Sequence, residues 1–274
     1  MSLNVITSTP MPLYSAHTGM LRAQKSIEKV AQNIATGVKT DVNPADSYVA
    51  SGLDTYIRSA KKAMENAQTG YNVTAVADAI LSNVSDSLGR IKELSTQAAN
   101  GVYSDKQRAV IQNEINQNVE HIQKTFANAS FNGKSILNAV TQENTDVVPV
   151  IDFFTGSDSS SVISFDPNVV TSSLEFDVSS PEAAANSLAK VNEIMDDVNS
   201  KRAEIGAVQT DFAGAINQQM TGMLSSSAAL SDIQDTDYLS AIVEMKQSAF
   251  SIEAMAKVMK TVMNSDKYVL DVLK

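Results

Sequence analysis

Apolar and small residues recur along most of this chain at steps of three and four. From Leu53 the series runs Leu53, Ile57, Ala60, Met64, Ala67, Tyr71, Thr74, Ala77, Leu81, Val84, Leu88, Ile91, Leu94 and Ala98. Its mean step is about 3.5 residues, the spacing of a coiled-coil seam; a half-buried strand would alternate every second residue. Gly70 and Gly89 lie inside the series; each costs about 1 kcal/mol relative to alanine without forcing a break. At about 1.5 Å per residue the predicted helix approaches about 70 Å, and a seam of that length needs partners of similar length. A second seam, Ile111, Ile115, Val119, Ile122 and Phe126, follows. Ser104-Asp105 is placed to cap it, and Asn100-Gly101 is expected to stop the first helix in the left-handed conformation. A third seam comprises Leu188, Val191, Met195, Val198, Ile205, Val208, Phe212, Ile216, Met220 and Met223. It follows Pro181, which suits a first helical turn because proline has no N–H to lose there. Leu94, Ile111, Ile115 and Phe212 are expected to share one core.

The two ends behave alike. Met20, Ala23, Ile27, Val30 and Ile34 repeat at helical spacing up to Thr36-Gly37, and so do Leu239, Ile242, Met245, Ala249, Ile252, Ala256, Met259 and Val262. Each stripe is narrow, and neither helix buries it alone. Pairing with each other and with other copies of the chain is the economical solution. Between residues 139 and 180 the helical period is lost. Val148-Pro149-Val150-Ile151, Val162–Phe165 and Leu174-Glu175-Phe176 read as short strands, with a polar turn over Gly156–Ser161. The expected fold is mainly α: a long antiparallel helical coiled-coil bundle formed by the N- and C-terminal segments, with a small β-hairpin element in the middle of the chain. The expected domains are 1–40 with 235–274, a terminal coiled-coil core, and 41–234, a helical rod domain with the β element at about 139–180.

Composition sharpens this picture. The chain has 274 residues, 43% of them hydrophobic but only 5% aromatic, with no Trp. That mix suits thin helical bundles. There is no Cys, so disulfides and thiol chemistry play no part, which also suits a chain exported unfolded. A net charge of −10 with no basic cluster argues against nucleic-acid binding, which needs cations to displace counterions. No apolar run reaches about 18 residues, so no membrane insertion is expected. The first residues lack a basic region before an apolar core; export is expected to read an uncleaved segment.

Candidate chemistry is sparse. Asp232, Asp235 and Asp237 could hold Ca²⁺, but an EF-hand loop needs a glycine at its sixth position, where Asp237 stands; acids at a helix N-terminus explain them as well. His17 and His121 lie on separate predicted helices, without the surroundings of a metalloprotease, phosphate-binding or nucleophile-elbow motif. No catalytic, cofactor-binding or metal site is expected, and no enzyme activity. The methionines fall mostly at seam positions and are expected to fill cores rather than to form an adaptable groove.

Residues 88–137 carry the most specific pattern. They read as two amphipathic helices broken at Asn100-Gly101 and closed by a Phe131-Asn132-Gly133 turn. The block resembles the signature of bacterial flagellin, in which R-x-x-E-L-x-x-Q-A-A-N-G leads to a helix ending at F-N-G. Ile34–Lys39, Lys201–Gln209, Ile233–Tyr238 and Val269–Leu273 resemble further flagellin segments in the expected order. Asn43-Pro44-Ala45-Asp46 leans instead toward the hook–filament junction protein, a relative. The resemblance implies a secreted, extracellular structural subunit that polymerises with itself into the flagellar filament. Its further partners would be the export apparatus, an export chaperone and the filament cap. A hook–filament junction protein is the alternative within this class, and a soluble helical adaptor the alternative outside it. The resemblance also places Arg90, Leu94, Gln97 and Glu114 at positions that meet a neighbouring subunit or an innate receptor, Toll-like receptor 5. Ser157, Ser159, Ser160 and Ser161 become candidate O-glycosylation sites. About 40 residues in the middle leave no room for the outer domains of larger flagellins.

Overall fold

A computed structural model describes residues 11–140, 146–156, 161–170 and 173–272. In chain order its elements are α1 (Met11–Thr36), α2 (Pro44–Ala98), α3 (Asp105–Ala127), β1 (Ser130–Phe131), β2 (Lys134–Ser135), β3 (Asn138–Val140), β4 (Ile151–Phe154), β5 (Val162–Phe165), β6 (Asn168–Val170), α4 (Pro181–Gln234) and α5 (Tyr238–Val272). The chain divides into a middle unit, Thr55–Ser225, and a terminal unit, Met1–Asp54 with Ser226–Lys274.

The middle unit is built on the seams. On α2 the buried positions are Ala60, Ala63, Ala67, Val73, Ala77, Leu81, Val84, Leu88, Ile91, Leu94 and Ala98. From Val73 onward these residues form one continuous core with Ile111, Ile115, Ile122 and Phe126 of α3 and Val191, Ile194, Val198 and Ile205 of α4. Such a face needs no special propensity, because apolar residues at steps of three and four all point one way on a helix.

Several expectations are corrected in detail. Tyr71 is 37% exposed; the seam passes through Gly70, because the Phe212 ring lies against that glycine. A Cβ at residue 70 would come within 2.3 Å of Phe212 Cζ. Phe212 is fully buried but stands outside the core that joins Leu94, Ile111 and Ile115. Eighteen residues along α4 from Ile194 amount to about 27 Å. On α4 the seam runs through Ser187, Ile194 and Gln219, leaving Leu188 and Met195 half-buried and Met220 exposed. None of the methionines among the described side chains is buried. Asn100 and Gly101 are not left-handed; positive φ occurs at Gly37, Asn132 and Gly133. After α2 the chain turns on Asn100 itself, whose Oδ1 accepts from Val102 N (3.1 Å) and whose carbonyl accepts from Tyr103 N (3.2 Å). Ser104 is the N-cap residue of α3, and Gln107 reaches back to it, its Oε1 accepting from Ser104 N (2.9 Å) and Oγ (3.0 Å).

Asn132 and Gly133, with φ of 49° and 77°, form the two-residue turn between antiparallel β1 and β2. Strand β3 pairs in parallel with β6. The expected hairpin is β4–β5, antiparallel, with Ile151 opposite Phe165 and Phe154 opposite Val162. Val148–Val150 precede it without joining a strand, and Leu174–Phe176 forms none. That last segment is held by side chains, since Gln112 on α3 donates to the Phe176 carbonyl (2.7 Å) and accepts from Val178 N (2.8 Å). The hairpin is fixed to both long helices. Phe153 meets Phe212 edge to face at 5.3 Å, Asn66 donates to the Phe154 carbonyl (3.0 Å), and buried Gln219 donates to the Thr155 carbonyl (2.9 Å).

In the terminal unit α1 packs on α5. Ser26 Oγ donates to Glu244 Oε1 (3.0 Å) and receives from Ser248 Oγ (3.2 Å). Gly19 meets Met255, so residue numbers fall on one helix as they rise on the other and the pair is antiparallel. Its buried apolar residues are Ala16, Ala23, Val30, Ala50 and Ala241. The segments after α1 and α4 are tied together: Val38 bridges Asp235, Lys39 N donates to the Gln234 carbonyl (2.7 Å), and Thr236 N donates to the Gly37 carbonyl (2.9 Å). Lys39 Nζ lies 3.4–3.5 Å from the carbonyls of Asp232 and Ile233, where a cation offsets the negative end of α4. Asp237 caps α5 by accepting from Leu239 N (3.0 Å), Ser240 N (3.2 Å) and Ser240 Oγ (2.8 Å). Asp235 accepts from Ser231 Oγ. Two of the three clustered aspartates thus serve helix ends. Among the described residues no helix is long and apolar enough to cross a membrane.

Candidate functional site

The four residues singled out on α2 and α3 fall into two kinds. Arg90 and Glu114 meet across the two helices at the surface. Arg90 Nε donates to Glu114 Oε1 (2.8 Å), Nη2 donates to the same oxygen, and Nη1 donates to Glu93 Oε2 (3.1 Å). All three side chains remain about half or more open to water, so the cluster contributes little to stability. The hydrogen bond to Glu114, then that to Glu93, raises the Arg90 pKa above its ordinary value. The guanidinium is a fixed charge whose geometry is set by two carboxylates. Gln97, about two turns on from Arg90, donates to the Tyr103 hydroxyl (3.0 Å).

Leu94 is different. It is 2% exposed and belongs to the core, so it supports the surface from beneath and offers no apolar anchor on it. The helix period explains this: Arg90, Glu93 and Gln97 share one face at steps of three and four, and Leu94 lies beside it on the seam.

Sequence reasoning passed over the neighbouring polar network. Arg108 is buried. Its Nη1 donates to the Tyr103 carbonyl (2.5 Å), Nη2 to Asp105 Oδ1 (2.6 Å) and Nε to the Ser179 carbonyl (3.2 Å). Together with Gln112 it fastens residues 176–179 along α3. Burying a guanidinium is tolerable only with such partners. The available signal was its place three residues before Ile111, in line with the α3 seam. Lys201, also buried, pairs with Glu204 (2.8 Å) and lies 3.8 Å from Asp166.

His121 Nδ1 lies 3.3 Å from Ser87 Oγ, and His17 is exposed on α1. Of the candidate glycosylation sites, Ser161 stands just before β5, its carbonyl accepting from Thr155 N (2.9 Å). Ser157, Ser159 and Ser160 lie outside the described residues.

Comparison with known proteins gives a consistent answer. Residues 7–142 match the family described as bacterial flagellin N-terminal helical region, and residues 188–273 match the bacterial flagellin C-terminal helical region. The chain is 30% identical over 208 residues to the flagellar filament 30.7 kDa core protein of Treponema maltophilum, covering 72% of this chain and 73% of that protein. It is 26% identical over 272 residues to flagellin FlaB2 of Treponema pallidum, covering 94% of each. A solved structure described as a flagellar hook-associated protein from Vibrio parahaemolyticus shares the fold, with a TM-score of 0.58 at 14% identity over 69% of this chain and 98% of that one.

Proposed function

The chain belongs to the bacterial flagellin family, and from that premise we propose that it is a structural subunit that polymerises with copies of itself into the flagellar filament and serves motility. The observation that carries this reading is the terminal unit. Helices α1 and α5 fully bury only Ala16, Ala23, Val30 and Ala241 among their apolar residues and leave Leu21, Leu239, Val243, Phe250 and Val258 exposed. Large apolar side chains in such number on one helix pair are costly unless another surface covers them. Relatives named as filament core proteins support the same reading. Electron microscopy of the concentrated full-length chain is the test. Helical fibres are expected, and a chain reduced to residues 41–234 should form none. Dispersed subunits at every concentration would overturn the proposal, and fibres from the shortened chain would remove the role given to the ends.

In this reading the subunit is secreted and extracellular. The export apparatus, an export chaperone and the filament cap are its transient partners. The Arg90–Glu114 face, with Gln97, packs against a neighbouring subunit in the polymer and is open to Toll-like receptor 5 only on the free subunit, with Leu94 setting the α2–α3 distance below it. Binding of the receptor ectodomain to free subunits, weakened by Arg90→Ala, is the expected result; unchanged binding would leave the face a packing role. Ser157, Ser159, Ser160 and Ser161, which fall between β4 and β5 in the sequence, are the proposed glycan sites, to be read by intact mass of filaments from the native cell.

A further inference from the structure

We propose that Met255 is an oxidation site whose conversion to the sulfoxide unlatches α5 from α1. The argument begins with Gly19. It sits between Ala16 and Ala23 on the face of α1 that α5 covers. A Cβ on Gly19 would lie 2.6 Å from Met255 Sδ and 2.8 Å from its Cε. A side chain at residue 19 would have to push the thioether aside, so with glycine there the thioether rests directly on the backbone of α1. A glycine inside a helix is unfavourable, and the seat it provides for the thioether is what this one achieves.

The latch is reachable. Met255 is half-buried, so a molecule as small as hydrogen peroxide has access to the sulfur. The chain has no Cys, and thioethers are therefore its only sulfur groups. Met20, Met245 and Met259 on the same two helices are half-buried as well. The middle unit also carries methionines, Met220 exposed and Met195 half-buried against its core, but its fully buried large side chains are Phe, Leu and Ile, without a methionine. Among the described glycines only Gly19 has a sulfur seated on it, so Met255 is where oxidation bears on helix pairing.

The chemistry is closed. A sulfur lone pair attacks one peroxide oxygen, the O–O bond breaks, and the S–O bond forms. The other oxygen leaves as water after the protons redistribute. Sulfur is oxidised by two electrons and the peroxide reduced by two. The product is a polar sulfoxide where a methyl and a sulfur had lain on apolar backbone. Its oxygen finds no donor on Gly19, whose N–H belongs to the helix, and burying it unpaired is unfavourable. The side chain swings out to water, and the helices lose the contact that glycine makes possible. Methionine sulfoxide reductases return the thioether, so the switch is reversible.

The experiment treats the full-length chain and a Met255→Leu variant with hydrogen peroxide. It maps sulfoxides by peptide mass spectrometry and follows amide exchange in α1, α5 and the 73–98 part of α2. In the oxidised native chain, exchange in α1 and α5 should accelerate about tenfold or more while 73–98 is unchanged. The leucine variant should keep most of its protection after the same treatment, and reductase treatment should restore the native chain. A second variant, Gly19→Ala, displaces the thioether without removing it and should oxidise at Met255 faster than the native chain. Protection that survives complete oxidation of Met255, equal loss in the leucine variant, or slower oxidation in Gly19→Ala would each overturn the proposal. Exchange reads helix pairing inside one chain, so a failure of the untreated protein to polymerise would refute the filament reading and leave this result standing.

Discussion

The middle and terminal units use the same helical grammar and arrive at different cores. The middle unit fully buries Leu81, Leu88, Ile91, Leu94, Ile115, Ile122, Ile194, Ile205 and Phe212, side chains worth about 1.5–3 kcal/mol each when taken from water. The terminal unit buries four alanines and Val30, and an alanine methyl is worth less than about 1 kcal/mol. Its larger apolar side chains face outward, with Leu239 at 78% and Phe250 at 73% exposure. The lesson is that an amphipathic stripe measures how much a helix could bury, and only its partners decide how much it does. The middle unit meets its partners within the chain. The terminal unit has its largest gains still to make.

The strongest test of this contrast is Ile115→Asp. It places an unpaired carboxylate in the sealed core and should destabilise the middle unit by several kcal/mol. Thermal unfolding followed by circular dichroism should show the loss; an unchanged transition would mean the core is not sealed. Next is Phe212→Ala, which empties the seat against Gly70 and Phe153 and should cost about 3–5 kcal/mol. Gly70→Ala, approached from the other side, should cost about 1–3 kcal/mol through overpacking. Combined with Phe212→Leu it should cost less than the two changes summed, a coupling that a double-mutant cycle measures. Thr236→Val sharpens the comparison in the terminal unit. It removes the hydrogen bond from Thr236 Oγ1 to the Asn33 carbonyl (3.2 Å), worth about 1 kcal/mol. Amide exchange in α1 and α5 should rise while 73–98 stays protected.

The smallest effect is one of pH. The Ser240 hydroxyl first, then the Ser240 and Leu239 N–H groups and the charge of Lys39, holds the Asp237 pKa below its ordinary value. A depressed carboxylate contributes stability that is complete above its unfolded pKa, about 3.9, and is lost as pH falls through the lower folded value. The N-terminal turn of α5 should therefore loosen only in strong acid, and Asp237→Asn should flatten that dependence in exchange measurements across the acid range.

How much of this was legible beforehand follows from what periodicity can encode. Steps of three and four place α2, α3 and α4 and identify Ile111, Ile115, Val191 and Ile205 as core because the face is set by the helix alone. They cannot choose between adjacent positions such as Tyr71 and Gly70 or Met195 and Ile194, where the facing side chain decides. Phe212, distant in sequence, makes Gly70 the better seat. Leu174–Phe176 carries strand-like residues, yet Gln112 and Arg108 satisfy its neighbourhood with side chains and no ladder forms. Asn100-Gly101 has the composition of a left-handed stop, and the Asn100 side chain supplies a turn that makes one unnecessary. At the candidate surface, the family pattern singled out Arg90 and Glu114 but not their ion pair, which needs the α2–α3 packing, while the burial of Leu94 followed from the seam on which it already stood.

The backbone bridge between Val38 and Asp235 has a kinetic consequence. It joins residues about 200 positions apart, and closing so long a flexible loop carries an entropic penalty that grows as the logarithm of its length. Folding of the intervening α2–α3–α4 core removes most of that freedom before the bridge forms, so contacts of low sequence separation come first and this one last. The two ends of the chain are then the final parts to find each other on folding, and the first to separate when the protein is unfolded.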